Sequence, residues 1–179
     1  MSRALLVIDM QQVFADPASP WSTPGFAAVL PRVRELTDAF AGRTVYTRFV
    51  APAEPWGSWV PYYRQWSFAL RPPDAQLWTI VPELAVGSAP VLDAPTFGKW
   101  GPQLQRLLGG AADIVVAGVS TDCCVLSTVL AAADAGAHLM VAADACAGMS
   151  ENDHRRAVEA MALYAPLVEI VTTAEVLGG

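Results

Sequence analysis

Six short runs rich in β-branched and aliphatic residues recur along the chain: 4–9 (ALLVID), 44–50 (TVYTRFV), 90–94 (PVLDA), 113–119 (DIVVAGV), 138–144 (HLMVAAD) and 167–172 (LVEIVT). Most are apolar throughout rather than alternating, as strands covered on both faces are. Helical segments lie between them at 25–42, 101–110, 121–136 and 150–165. In the first of these, Phe26, Val29, Leu30, Val33, Leu36 and Phe40 keep the spacing of one helix face. Three of the four end in glycine at a plausible C-cap, and Thr121 and Ser150 stand where N-caps belong. Such alternation predicts an α/β fold, a three-layer α/β/α arrangement around a mostly parallel six-stranded sheet with right-handed crossovers. The exception is 51–89, which is rich in proline and holds four of the six tryptophans. It reads as a long irregular excursion with a short helix at most, and excursions of that length tend to be functional.

With 179 residues and no linker-like stretch, the expectation is a single domain over 1–179. Only 16% of residues are charged, 54% are hydrophobic and mean hydropathy is +0.36. A surface that apolar predicts a homo-oligomer, a dimer or tetramer. The net charge of −6 with scattered basic residues excludes the footprint of a nucleic-acid binder, leaving a small-molecule substrate as the expected partner. No apolar run is long enough to span a membrane, and the N-terminus lacks a signal-peptide pattern. Three cysteines without a C-x-x-C pair argue against a disulfide scaffold and for a reducing, cytoplasmic setting.

Ligands of open α/β sheets bind beyond the carboxyl ends of the strands, where strand order reverses. Asp9 ends the first run, 93–100 (DAPTFGKW) follows the third and 118–124 (GVSTDCC) follows the fourth. Asp9 is open to two readings, a turn cap or a functional carboxylate. If Thr121 caps the next helix, Cys123 and Cys124 occupy its first turn, where unpaired N–H groups and the helix dipole favour a thiolate. Neighbouring helical side chains diverge by about 100°, so at most one of the two thiols is expected to meet the cleft. His138 and His154 read as surface residues, and two histidines so placed make neither a catalytic triad nor a histidine metal site. Cys146 is assigned no chemistry, and the phosphate-loop and dinucleotide signatures are absent.

The stretches 5–14 (LLVIDMQQVF), 82–97 (PELAVGSAPVLDAPTF), 115–136 (VVAGVSTDCCVLSTVLAAADAG) and 141–148 (VAADACAG) together resemble the isochorismatase-like cysteine hydrolases, among them nicotinamidases and N-carbamoylsarcosine amidase. The resemblance implies strand order 3-2-1-4-5-6 and, in G-V-S-T-D-x-C-V, a nucleophile at Cys124. It implies a cis peptide at Val119–Ser120, with backbone N–H groups near Ser120 and Cys124 holding the oxyanion, and Asp9 as the proton carrier. The implied activity is metal-independent hydrolysis of a small non-peptide amide through a thioester, without a cofactor. Two other readings stand beside it: a catalytically silent binding protein, and vinyl ether hydrolysis.

Two departures from the family pattern stand out. The family's lysine after the third strand is matched by Ala94, and Lys99, the sole lysine of the chain, lies five residues on. It is expected to reach back into the crevice from the start of the next helix. The zinc-binding D-x-H…H pattern of nicotinamidases has no counterpart in 47–59, so no metal is expected. In its place stand Arg48, Trp56, Trp59, Tyr62 and Trp66, which with Phe14 are the candidate substrate-binding residues. Aromatic walls with an arginine would suit a planar amide or a substrate carboxylate, and equally a subunit interface.

Overall fold

The computed structural model describes residues 3–111 and 113–178. Strands β1 (Ala4–Ile8), β2 (Thr44–Phe49), β3 (Val91–Ala94), β4 (Asp113–Val119), β5 (His138–Ala147) and β6 (Val168–Val171) form one parallel sheet in the order β3-β2-β1-β4-β5-β6. Between and after them run helices α1 (Gln12–Ala15), α2 (Phe26–Ala39), α3 (Trp59–Gln65), α4 (Pro102–Leu107), α5 (Leu126–Asp134), α6 (Glu151–Ala162) and α7 (Thr173–Gly178).

The continuous apolar runs serve two cores at once. Leu5 and Val7 of β1 join Val115, Ala117 and Val119 of β4 in a cluster with Val33 and Leu36 of α2. Leu6 and Ile8 point the other way, and with Ile114 and Val116 they pack on Leu104, Val129 and Met161 of α4, α5 and α6. Side chains of successive strand residues face opposite sides, so a strand between two helical layers has to be apolar at every position. Each such side chain stabilises the fold by about 1.5–3 kcal/mol when fully buried.

From β1 the chain adds β2 and β3 on one side, then crosses back to place β4, β5 and β6 on the other. The reversal leaves the carboxyl ends of β1 and β4 adjacent, with Ile8 in register with Gly118. Gly118 is required there: its φ is +122°, and a Cβ would lie 2.1 Å from the Ile8 carbonyl oxygen.

The 51–89 excursion contains α3 and three 3₁₀ turns, at Ser67–Ala69, Gln76–Trp78 and Pro82–Leu84. Gln11 fastens it down. The buried Gln11 amide donates to the carbonyls of Phe49 (3.0 Å) and Trp78 (2.8 Å) and accepts from the Phe49 N–H at 2.7 Å. One side chain thus ties the end of β1 to the end of β2 and to the excursion. Two boundaries differ from expectation. β5 continues to Ala147 because its second half stays buried against β4, and the short helix α7 follows β6 with no strong periodic signal in its six residues.

Candidate active site

Asp9 is the first residue beyond β1, fully buried and with φ at +49°, a left-handed conformation that non-glycine residues take rarely and mostly under functional constraint. Thr47 of β2 holds it in place. The Asp9 N–H donates to Thr47 Oγ1 (3.2 Å), and that hydroxyl donates to Asp9 Oδ1 at 2.6 Å. The other carboxylate oxygen, Oδ2, lies 3.0 Å from Lys99 Nζ, with both side chains at 0% exposure. Lys99 Nζ donates to the Thr96 carbonyl at 2.6 Å and lies 4.9 Å from the centre of the Phe49 ring. The contact with Asp9 is therefore an ion pair without an aligned hydrogen bond, and Oδ2 keeps a free acceptor position.

Lys99 reaches this position from the loop between β3 and α4, rather than from the helix itself. Ala94 ends β3 and passes its carbonyl to the Val50 N–H, so the loop carries the ammonium group back to the strand ends. Thr128 of α5 locks that loop to the cysteine segment. Its Oγ1 accepts from the Lys99 N–H at 3.0 Å and donates to the Cys124 carbonyl at 2.7 Å.

Cys123 and Cys124 lie in a π-helical turn, Thr121–Val125, that leads into α5. The Ser120 carbonyl accepts from the N–H groups of both Cys123 (3.2 Å) and Val125 (3.1 Å). Thr121 does not cap the helix. Its hydroxyl meets His154 Nδ1 at 2.9 Å, so His154 of α6 is half-buried against the turn rather than a free surface residue. The Val119–Ser120 peptide is cis. Asp122 braces it from below, Oδ1 accepting from the Ser120 hydroxyl (2.6 Å) and the Met149 N–H (3.0 Å). Gly148 makes room for this brace, since a Cβ there would come within 2.8 Å of Asp122 Oδ1 and of the His154 nitrogen.

The expected thiolate is not favoured in the free site. Cys124 is buried, and that burial, followed by the negative charge of Asp9, pushes its pKa well above the usual thiol range, with Lys99 pulling the other way. Desolvation outweighs the helix start here. Burial and then the neighbouring Asp122 raise Cys123 to about 11.

A cavity of about 270 Å³ opens over Cys124. Phe14, Trp21, Phe49, Tyr62, Trp66 and Phe97 form its aromatic walls, and Pro20 and Met149 its apolar edges, while Ser120, Cys123 and Cys124 form the reactive side. Both cysteines line it, against the expectation that at most one would meet the cleft. Of the six candidate substrate-binding residues, Phe14, Tyr62 and Trp66 line the cavity and three do not. Arg48 is held by Asp93, Nε to Oδ1 at 2.7 Å, on the neighbouring strand. Trp59 supports the walls from behind, 5.2 Å from Phe97 and 5.1 Å from Tyr62 between ring centres, and Trp56 is 49% exposed. Trp21, Phe49 and Phe97 are wall residues that sequence reasoning missed; Trp21, outside the 51–89 excursion, contacts six aromatic rings, including Phe68 at 5.1 Å.

Residues 3–175 match the family model described as the isochorismatase domain. The chain belongs to the isochorismatase family of hydrolases. Among solved structures it is similar to a cysteine hydrolase from Pseudomonas syringae pv. phaseolicola 1448A, with TM-score 0.87 and 22% identity over 98% of this chain and 91% of that one. An isochorismatase-like hydrolase from Alkaliphilus metalliredigens superposes with TM-score 0.81 at 18% identity, covering 99% and 97% of the two chains. N-carbamoylsarcosine amidase from Thermoplasma acidophilum gives 0.76 at 18% identity, covering 97% of each. At these identities the likeness is one of fold. No curated protein sequence matches at a significant level. Among the described residues no helix is long and apolar enough to cross a membrane.

Proposed function

We propose that the chain is a cysteine hydrolase that cleaves the C–N bond of a small, uncharged, non-peptide amide, without a metal, through a thioester on Cys124. The observation that carries the reading is Asp9, a buried carboxylate with one acceptor position free and ion-paired to Lys99, at the end of the strand that pairs with β4, which leads into the Cys124 turn at the cavity. A protonated nucleophile next to a carboxylate needs its base in place rather than a preformed thiolate. As Cys124 Sγ attacks the carbonyl carbon, its proton passes to Asp9 and the oxyanion is held by backbone N–H groups of the 120–124 segment. The proton then goes to the leaving nitrogen, the C–N bond breaks and the amine departs. Water loses a proton to Asp9 while attacking the thioester, the C–S bond breaks, and the thiol is restored.

Lys99 keeps the carboxylate compensated in a dry site and opposes the rise in the Cys124 pKa. That role speaks against a catalytically silent protein, in which the alanine at Ala94 would leave the site without an ammonium group. Similarity to a cysteine hydrolase and to an N-carbamoylsarcosine amidase supports the reaction class.

Turnover of a panel of primary, cyclic and carbamoyl amides tests the reading, with acyl adducts followed by intact mass. Cys124→Ala is expected to lose at least about 10⁴-fold in turnover, and Cys123→Ala less than about tenfold. An acyl adduct on Cys123, or turnover surviving in Cys124→Ala, overturns it. Without substrate, alkylation of both thiols by iodoacetamide is expected to be slow at neutral pH and to rise with pH as thiolate forms. Cys123, at about 11 and less buried, reacts ahead of Cys124; rapid labelling of Cys124 at neutral pH contradicts this.

A further inference from the structure

We propose that His154 is a positioning residue for the hydrolysis, holding the cysteine turn in its reactive geometry through the Thr121 hydroxyl, a role that rests on Cys124 being the nucleophile. The contact that carries it is the hydrogen bond of 2.9 Å between Thr121 Oγ1 and His154 Nδ1.

Thr121 opens the π turn, directly after the cis Val119–Ser120 pair and three residues before Cys124. It is 0% exposed, and among the described residues His154 is the one partner of its hydroxyl. Water cannot reach in to replace the imidazole, and a buried hydroxyl left without a partner is costly. Ser120 offers no substitute, since its own hydroxyl is bonded to Asp122 and its side chain does not cap the turn.

The imidazole is in turn held from a fixed base. Ser150 caps α6 by accepting from the Asp153 N–H at 3.1 Å, and the Ser150 carbonyl accepts from the His154 N–H at 2.9 Å. Gly148 brings the β5–α6 link so close that a Cβ there would lie 2.8 Å from the His154 nitrogen. Further along the turn, Thr128 of α5 holds the Cys124 carbonyl. The cysteine turn is thus tied by two threonine hydroxyls, one answering to the lysine loop and one to α6.

A neutral imidazole has one donor and one acceptor nitrogen, and a hydroxyl can answer either, so the bond forms in both tautomers. Burial lowers the His154 pKa, with Asp122 opposing, which favours that neutral ring. Misplacing a reacting group by about 1 Å can cost about 10²-fold in rate, so a tie this near Cys124 bears on the chemistry as well as on the fold.

The test uses 4-nitrophenyl acetate, an activated acyl donor. Attack by Cys124 Sγ on the ester carbonyl forms the thioester and expels 4-nitrophenolate, the thiol proton passing to Asp9. Nitrophenolate release gives the rate, and fragment mass locates the acetyl group. His154→Leu and Thr121→Val are each expected to slow acylation of Cys124 about tenfold or more, with the half-saturating ester concentration unchanged within about twofold. His154→Asn, whose amide can place a polar atom where Nδ1 stands, and Thr121→Ser are expected to stay within about threefold of wild type. Because the two residues act as one device, the double variant His154→Leu/Thr121→Val is expected to be no more than about twofold slower than the slower single. Amide hydrogen exchange in His154→Leu is expected to quicken within 119–126 and to stay unchanged in β1 and β2. Exchange that quickens throughout the chain marks a merely structural histidine and overturns the proposal. So do an unchanged rate in His154→Leu, a His154→Asn rate as low as that of His154→Leu, or strictly additive losses; each leaves the nucleophile in place. A wild-type protein that forms no adduct on Cys124 overturns the nucleophile itself, and His154 then has nothing to position.

Discussion

Each end of the sheet sets a basic side chain against carboxylate oxygens. At the carboxyl ends, Lys99 and Asp9 meet at 3.0 Å with neither side chain exposed. At the amino ends, His138 at the start of β5 has Nδ1 3.2 Å from Asp113 on β4 and Nε2 3.2 Å from Glu169 on β6. Distance hardly separates the two clusters, whereas exposure does: the side chains at the amino ends are 33%, 43% and 51% exposed. Water screens the second cluster and lets it rearrange, so its contacts are worth little. The first pair has lost its water, and each partner depends on the other. The comparison teaches that a basic group beside a carboxylate becomes chemically useful when the fold removes solvent from it, which here is the work of the aromatic walls and the two strand ends.

The largest expected effect comes from breaking the buried pair on one side. Lys99→Met leaves an uncompensated carboxylate and is expected to destabilise the protein by about 3–5 kcal/mol, read as a lower midpoint in urea at unchanged slope. Combining it with Asp9→Asn removes both charges, and stability is expected to return to within about 1–2 kcal/mol of wild type while amide turnover stays lost. If the single variant is as stable as wild type, the pair is no more coupled than the surface cluster and the comparison fails.

A smaller effect is expected one layer out. Thr128→Val keeps the shape but leaves the Lys99 N–H and the Cys124 carbonyl without their shared partner, at a cost of about 1–3 kcal/mol. Because that hydroxyl joins the lysine loop to the cysteine turn, turnover is expected to fall about tenfold or more with the Michaelis constant little changed. Thr128→Ser restores the bridge and is expected to recover most of the rate.

How much of this was legible beforehand follows the range of the interaction. The strands and their ends, with Asp9 and the cysteine pair just beyond them, were readable because they are local in sequence, while the sheet order and the choice of Cys124 came with the family resemblance of the G-V-S-T-D-x-C-V segment. The lysine was readable only as a candidate, since the path from Ala94 to the Asp9 carboxylate depends on a loop closed by Thr96 and Thr128. Arg48 was misread as a substrate ligand because its partner, Asp93, is 45 residues away across the β2–β3 register. Trp21, Gln11 and Thr47 left no signal of their own: an isolated tryptophan, a buried amide and a strand threonine acquire roles only when three strand ends converge. The first-turn argument for a thiolate could not weigh burial, which pushes the Cys124 thiol up and is a property of the whole fold while the helix start is local.

The surface cluster provides the smallest and most discriminating test. Asp113→Asn removes one of the two carboxylates around His138 without changing its shape, and the remaining groups stay open to water. The expected cost is below about 1 kcal/mol. Ionic strength separates the two clusters further, because charges in contact with solvent are screened over about 8–10 Å at ordinary salt while a dry pair is not. Raising salt from about 0.05 to 0.5 M should therefore erase the small effect of Asp113→Asn and leave the large effect of Lys99→Met in place. If the Lys99→Met cost shrinks with salt in the same proportion, solvent reaches the Asp9 carboxylate, and the protected proton carrier that the proposed thioester route requires is lost with it.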